Sequence, residues 1–272
     1  MGPLLALVLA SGPGFLRPPE LLVRAGEDSD DQALADACHL PGAQLELRTR
    51  SNMLATGTVD ALRTCKNPRV LLRPPLVQAH RERLERVPQA QPVFELAQDA
   101  HLSWNEVSAL GPRRIHVRVF GALTLERAAE LARFRDVEVE LDLRGRVPTA
   151  DELARFHALD HASRSVRIGA DAPPEEILAL PTLQPSRVTV ETHDNRLPPP
   201  LMGALEQADL PTCIALTWPL VPRDVESFAG IRKLSLELEL GTIDELPRKV
   251  KAALAPVEPD DTKPAMSAAP GP

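Results

Sequence analysis

"IHVRVFGALTLERAAELARFRDVEVEL", residues 115–141, places two alternating segments around one with helical spacing. In IHVRV (115–119) and VEVEL (137–141) every second residue is apolar, the mark of a strand with one buried face. Between them Thr124 stands where a helix N-cap belongs, and Leu125, Ala128, Leu131 and Ala132 recur on one helical face. The stretch therefore predicts strand, short helix, strand. Its connection satisfies the ~10–12 residues that a crossover between parallel strands requires.

The same pattern recurs along the chain. QLELR (44–48), RVLLR (69–73), VFELA (93–97), SVRIG (165–169), RVTVE (187–191), CIALT (213–217) and LSLEL (234–238) alternate in the same way. The second apolar-face residues are Leu47, Leu72, Leu96, Val117, Val139, Ile168, Val190, Leu216 and Leu236, spaced 20 to 29 residues apart. Further helices are expected over 76–87, 103–110, 149–159 and 242–254. Ser103 and Thr149 are cap candidates, and Leu153, Phe156 and Leu159 turn inward. Prolines at 74–75, 148, 173–174, 198–200 and 222 mark strand-to-helix turns, because proline suits the first turn of a helix.

An eight-unit α/β barrel ordinarily takes ~250 residues with full-length helices, whereas nine strands here fall between residues 44 and 238. The expected fold is thus α/β: a repeat solenoid of about nine short βα units with a parallel, open sheet. A closed (β/α) barrel is the alternative. Residues 1–39 are assigned to an N-terminal cap or signal-like segment, with an acidic linker over 24–32. Residues 40–254 are assigned to the repeats and 255–272 to a Pro/Ala-rich disordered tail. In the apolar start, residues 4–10 read as a short export signal or as a first buried strand; a cytoplasmic location is expected, with export the alternative.

Period and strand pattern resemble the leucine-rich-repeat family over roughly residues 40–240. The closest turns are LELRTRSNML (45–54) and VTVETHDNRL (188–197), where Asn52 and Asn195 precede Leu54 and Leu197. The family's asparagine falls earlier in its turn, and Arg50 and His193 occupy that position here. The resemblance implies stacked βα units and a strand face used for protein recognition.

Composition narrows the functional classes. A net charge of -7 argues against a nucleic-acid partner, and no run approaches the ~20 apolar residues of a membrane span. Arginine far outnumbers lysine, which reads as the codon usage of a GC-rich bacterium. Cys38, Cys65 and Cys213 have no metal-ligand spacing. Cys38 and Cys65 are close enough in neighbouring units for a disulfide, but free buried thiols are expected. His157 and His161 share a helix face at i, i+4 without the glutamate of a metalloprotease helix, so a solvated helix end is expected. His193, Asp194 and Asn195 read as a polar turn, since Asx side chains satisfy their own backbone.

The polar residues alternating with the apolar ones form two cross-strand rows. One runs Glu46, Leu71, Glu95, His116, Glu138, Arg167, Thr189, Ala215, Ser235; the other runs Arg48, Arg73, Ala97, Arg118, Glu140, Gly169, Glu191, Thr217, Glu237. Opposite charges meet at Arg118/Glu140 and at Glu138/Arg167. This face supplies the candidate binding surface: Arg48, Arg73, Glu95, His116, Arg118, Glu138, Glu140, Arg167, Glu191 and Glu237. The expected function is a non-catalytic scaffold binding another protein or peptide there, with no catalytic residue, cofactor or metal. The alternative is a hydrolase-type or metal-dependent enzyme on a barrel, using polar residues at strand C-terminal ends such as Glu191, His193 and Asp194.

Overall fold

All nine alternating segments form strands, and a tenth joins them. In a computed structural model of the chain, the described residues are 20–40, 43–49, 53–97, 100–111, 113–217, 228 and 230–243. The strands are β1 (Glu20–Gly26), β2 (Ala43–Arg48), β3 (Arg69–Leu72), β4 (Gln91–Leu96), β5 (Ile115–Phe120), β6 (Val137–Asp142), β7 (Ser163–Gly169), β8 (Arg187–Glu191), β9 (Thr212–Thr217) and β10 (Leu234–Thr242). Each of the first eight is followed by a helix: α1 (Asp31–Cys38), α2 (Thr56–Leu62), α3 (Gln78–Glu85), α4 (Trp104–Ser108), α5 (Leu125–Leu131), α6 (Ala150–His157), α7 (Pro174–Ala179) and α8 (Pro199–Ala208). The expected export signal, the Asn52 turn, most of the 242–254 helix and the tail lie outside the described residues.

The sheet is parallel and closed into a barrel, with the strands in chain order around the ring. The closed alternative is therefore the architecture, and the open array is not. Closure comes from the strand that the sequence reading assigned to a cap and linker. In β1, ELLVRAG, Leu21 pairs in register with Ala43 of β2 and with Leu238 of β10. The acidic stretch after it is no linker: Asp30 caps α1 by accepting a hydrogen bond from the Ala33 amide.

Alternation divides every strand between two environments. Leu47, Leu72, Leu96, Val117, Val139 and Ile168 pack with Leu62, Leu84, Val107, Leu131 and Phe156 of the helical layer in one apolar cluster. The intervening residues point to the barrel axis. Ten strands enclose a ring about a quarter wider than the eight-stranded barrel, whose interior ordinary side chains just fill. Long arginine and glutamate side chains occupy that width.

Local signals behave as their chemistry dictates. Thr124 accepts from Arg127 N and Thr149 from Glu152 N, while Ser103 and Glu106 form a reciprocal capping box. Two glutamates at the third helical position also reach the preceding unit. Glu106 accepts from Leu76 N at 2.7 Å, and Glu152 from Leu123 N at 2.8 Å. Pro174 and Pro199 open α7 and α8. Two inward assignments fail: Leu125, at the first helical position, is 73% exposed, and Ala132, at the C-cap, is exposed as well, so Ala128 and Leu131 make the contact. Cys38 and Cys65, expected as free thiols, are joined in a disulfide that ties the end of α1 to the turn after α2, while Cys213 is free and buried.

Candidate functional site

The ten candidate residues do not form an open face. Closing the sheet turns their rows inward, so that His116, Arg118, Glu140, Arg167 and Glu237 are buried. Glu95, Glu138 and Glu191 are half-buried, and Arg48 and Arg73 are exposed. The register corrects one expected pair. Arg118 does lie beside Glu140, but Glu138 lies beside Ser163, and Arg167 stands opposite Asp142. The register of β7 against β6 is thus shifted by four residues from the one the alternation suggested.

The barrel centre holds a connected ionic network. Arg118 Nη2 donates to Glu46 Oε2 at 3.1 Å across three strand positions, and its Nε lies 3.3 Å from Glu140 Oε1. Arg167 Nε donates to the same Glu140 oxygen at 3.0 Å, and its Nη1 is 3.8 Å from Glu191. Arg144 continues the chain by contacting Glu191 and Asp142. Arg24 contacts Glu239 and lies 3.6 Å from Glu46. Glu46 is 0% exposed. Such a network is weak evidence for stability, because desolvation of buried charges offsets their attraction.

Titration follows from this packing. Burial alone would raise the Glu46 carboxyl, yet Arg118, Arg24, Arg69 and Arg48 outweigh it and hold its pKa below the ordinary value. Glu140 is likewise opposed by burial and pulled far down by Arg167 and Arg118. Burial drives the His116 imidazole well below its ordinary pKa against the pull of Glu140, with Arg118, Arg69 and Arg167 acting in the same direction as burial. His116 is therefore neutral, and neither ring nitrogen has a hydrogen-bonding partner among the described residues. At the rim, burial raises the Glu239 carboxyl, with Glu191 and Glu46 adding to the rise and Arg24 opposing it.

Above this layer, at the C-terminal ends of the strands, lies a cup of about 410 Å³. Six of the ten candidates line it: Arg48, Glu95, Arg118, Arg167, Glu191 and Glu237. Leu22, Arg24, Phe120, Asp142 and Arg144 complete the wall. Sequence reading missed Arg24 with its strand, and it missed Asp142 and Arg144 because they follow the end of the VEVEL alternation. Glu46 stood in the expected row but was left out of the candidate set. Of the candidates outside the cup, Glu140 and His116 lie below it, Glu138 lines the opposite mouth, and Arg73 is not part of the lining.

Two members of the cup stand apart from the compensated network. Arg48 is exposed, and its one ion pair among the described residues is with Glu46, at 3.9 Å. Glu95 makes no ion pair or hydrogen bond among the described residues, although Arg118 is its register neighbour. The enzyme alternative fares unevenly: Glu191 belongs to the cup, whereas His193 and Asp194 are exposed and lie outside its lining. Asp194 accepts from Arg196 N, and Asn195, at φ 60°, exchanges two 2.8 Å hydrogen bonds with the Thr217 backbone. The Asp194 contact is the expected Asx turn, whereas Asn195 satisfies the backbone of the next unit and not its own. His157 and His161 are exposed and contact Arg164 and Asp160. Among the described residues no three His, Cys, Asp or Glu side chains are grouped to hold a metal, and no helix is long and apolar enough to cross a membrane. No protein-family model matches the chain, and no curated protein matches it.

Proposed function

We propose that the cup at the C-terminal strand ends binds a small zwitterion, without turnover. The observation that carries this reading is the pair of under-used charges on its wall, Arg48 and Glu95, facing a cup whose other charges compensate one another. The volume lies in the range of small-molecule sites, ~300–1,000 Å³. Arg48 offers a fork to a carboxylate and Glu95 an acceptor to an ammonium group. The reading keeps the non-catalytic part of the sequence expectation and replaces a protein partner with a small molecule. The C-terminal face is where enzymes on related barrels place their sites, an analogy of fold alone.

The test is calorimetric titration with a panel of α-amino acids, using the matching carboxylic acids and amines as controls. A zwitterion binds, and Arg48→Ala and Glu95→Gln each weaken it about tenfold, or ~1.4 kcal/mol. Equal binding of singly charged analogues, or unchanged affinity in both variants, would sink the reading. A second reading, acid catalysis beside this cup, is favoured by one observation: Glu239, which contacts Arg24 of the cup wall, has its carboxyl raised by burial against the pull of that arginine. The Cys38–Cys65 bond supports export as the location, since disulfides persist in oxidising compartments.

A further inference from the structure

The opposite mouth, at the N-terminal ends of the strands, holds a larger cavity of about 650 Å³. Its wall carries Arg69, Arg113, Arg114, Arg187 and Lys233 against Glu20 and Glu138. This surplus of positive charge sits in a chain whose net charge is -7. Part of it is compensated locally. Arg114 lies 3.4 Å from Glu138, Arg187 lies 3.7 Å from Glu20 and 3.2 Å from Glu237, and Lys233 lies 2.9 Å from Asp209.

Two arginines remain with no carboxylate at ion-pair distance among the described residues. Arg113 donates through Nη1 to the carbonyls of Leu84 and Val87, and its nearest carboxylate influence, Glu85, acts from beyond ion-pair distance. Arg69 makes no hydrogen bond among the described residues, and its Nε is buried and unpartnered there. Its charge still acts on Glu46, its register neighbour, and on His116. Arg187 Nε is also buried without a partner. Burying a donor without an acceptor is costly, so Arg69 and Arg187 are incompletely paired within the protein. Neutral donors stand around them, including Gln44, Gln91, Ser163 and Ser235.

We infer that this cup is a second ligand site, separate from the one at the other mouth, and that it takes the phosphate group of a small phosphate monoester. Arg69 and Arg113, each without a carboxylate at ion-pair distance among the described residues, suit a dianion. Donors converging from β3, β8 and the entry to β5 suit a tetrahedral group better than a planar carboxylate, which a single arginine fork satisfies. The inference does not rest on the zwitterion reading, because no residue lines both cups.

The test is titration of the full chain with inorganic phosphate and with glucose 6-phosphate, glucose serving as the neutral control. Binding is followed by calorimetry and by ³¹P line width. Both phosphates bind saturably at concentrations up to about 10 mM and glucose does not, an affinity within the reach of a few charge-assisted hydrogen bonds. Arg69→Gln weakens both at least about tenfold, and Arg48→Gln at the opposite mouth leaves them unchanged. If Arg69→Gln fails to fold, Arg114→Gln decides: its side chain is 65% exposed, so the fold tolerates the change, and weakened phosphate binding is expected. Absence of saturable phosphate binding, equal loss in Arg48→Gln, or unchanged affinity in a folded Arg69→Gln or Arg114→Gln variant would overturn the inference.

Discussion

The outer and inner faces of the same ten strands obey different physics. On β6, Glu140 and Leu141 are sequence neighbours and both are buried. Leu141 joins the apolar cluster under the helices, whereas Glu140 lies between Arg118 and Arg167. The outer face gains by removing hydrocarbon from water, and its contributions follow area. The inner face holds charges whose attraction is largely offset by lost hydration, so its stability depends on every partner being present. Burial alone therefore does not say what a residue contributes.

Single substitutions on β6 separate the two regimes. Glu140→Ala leaves two buried guanidinium groups short of their shared carboxylate and should destabilise by about 3–5 kcal/mol. Leu141→Ala opens a cavity that partly relaxes, with about 2–4 kcal/mol expected. Urea unfolding of both variants checks the order. If Glu140→Ala turned out milder than Leu141→Ala, the network would be better solvated than its burial implies.

Acid sharpens the same contrast. His116, Glu46 and Glu140 all have folded pKa values below their unfolded ones. The folded state then binds fewer protons, so each contribution is complete above the unfolded pKa and fades as pH falls toward the folded one. Stability should decline first below about pH 6.5, as His116 protonates in the unfolded chain, and again below about pH 4.5 from the carboxylates. His116→Leu should shrink the upper step to the part that belongs to His80, whose pKa burial also lowers, and leave the lower step. A melting temperature flat from pH 7 to pH 5 in the parent chain would contradict the neutral, buried imidazole.

The smallest effect belongs to neither face. Leu125→Ser replaces an exposed side chain on α5 and should change stability by no more than about 0.5 kcal/mol. A larger loss would mean that this leucine packs after all, as the helical spacing suggested.

The strands and most helix starts were legible because their signals are local. Period-two alternation, Thr124, Thr149 and the Ser103/Glu106 box each act within one or two turns of chain. Closure was not legible, because it depends on β1 meeting β10 across more than two hundred residues, and ELLVRAG carries few alternating positions amid acidic and proline-rich neighbours. The site was half legible for a different reason. Alternation separates apolar from polar faces, but a polar face in water and a polar face lining a barrel have the same period. Glu95 and Arg48 could thus be named from sequence while their meeting in one cup could not.

The ring order has a consequence for synthesis on the ribosome. Among the described strands β1 is made first and β10 last, yet each completes the other's hydrogen-bonding ladder. Until Leu234–Thr242 emerges, the growing barrel keeps an unpaired edge on β1 and another on its newest strand, both open to pairing with other chains. The span from Glu20 to Thr242 therefore sets how long each nascent molecule is exposed to misassembly, and a faster translating host shortens that interval.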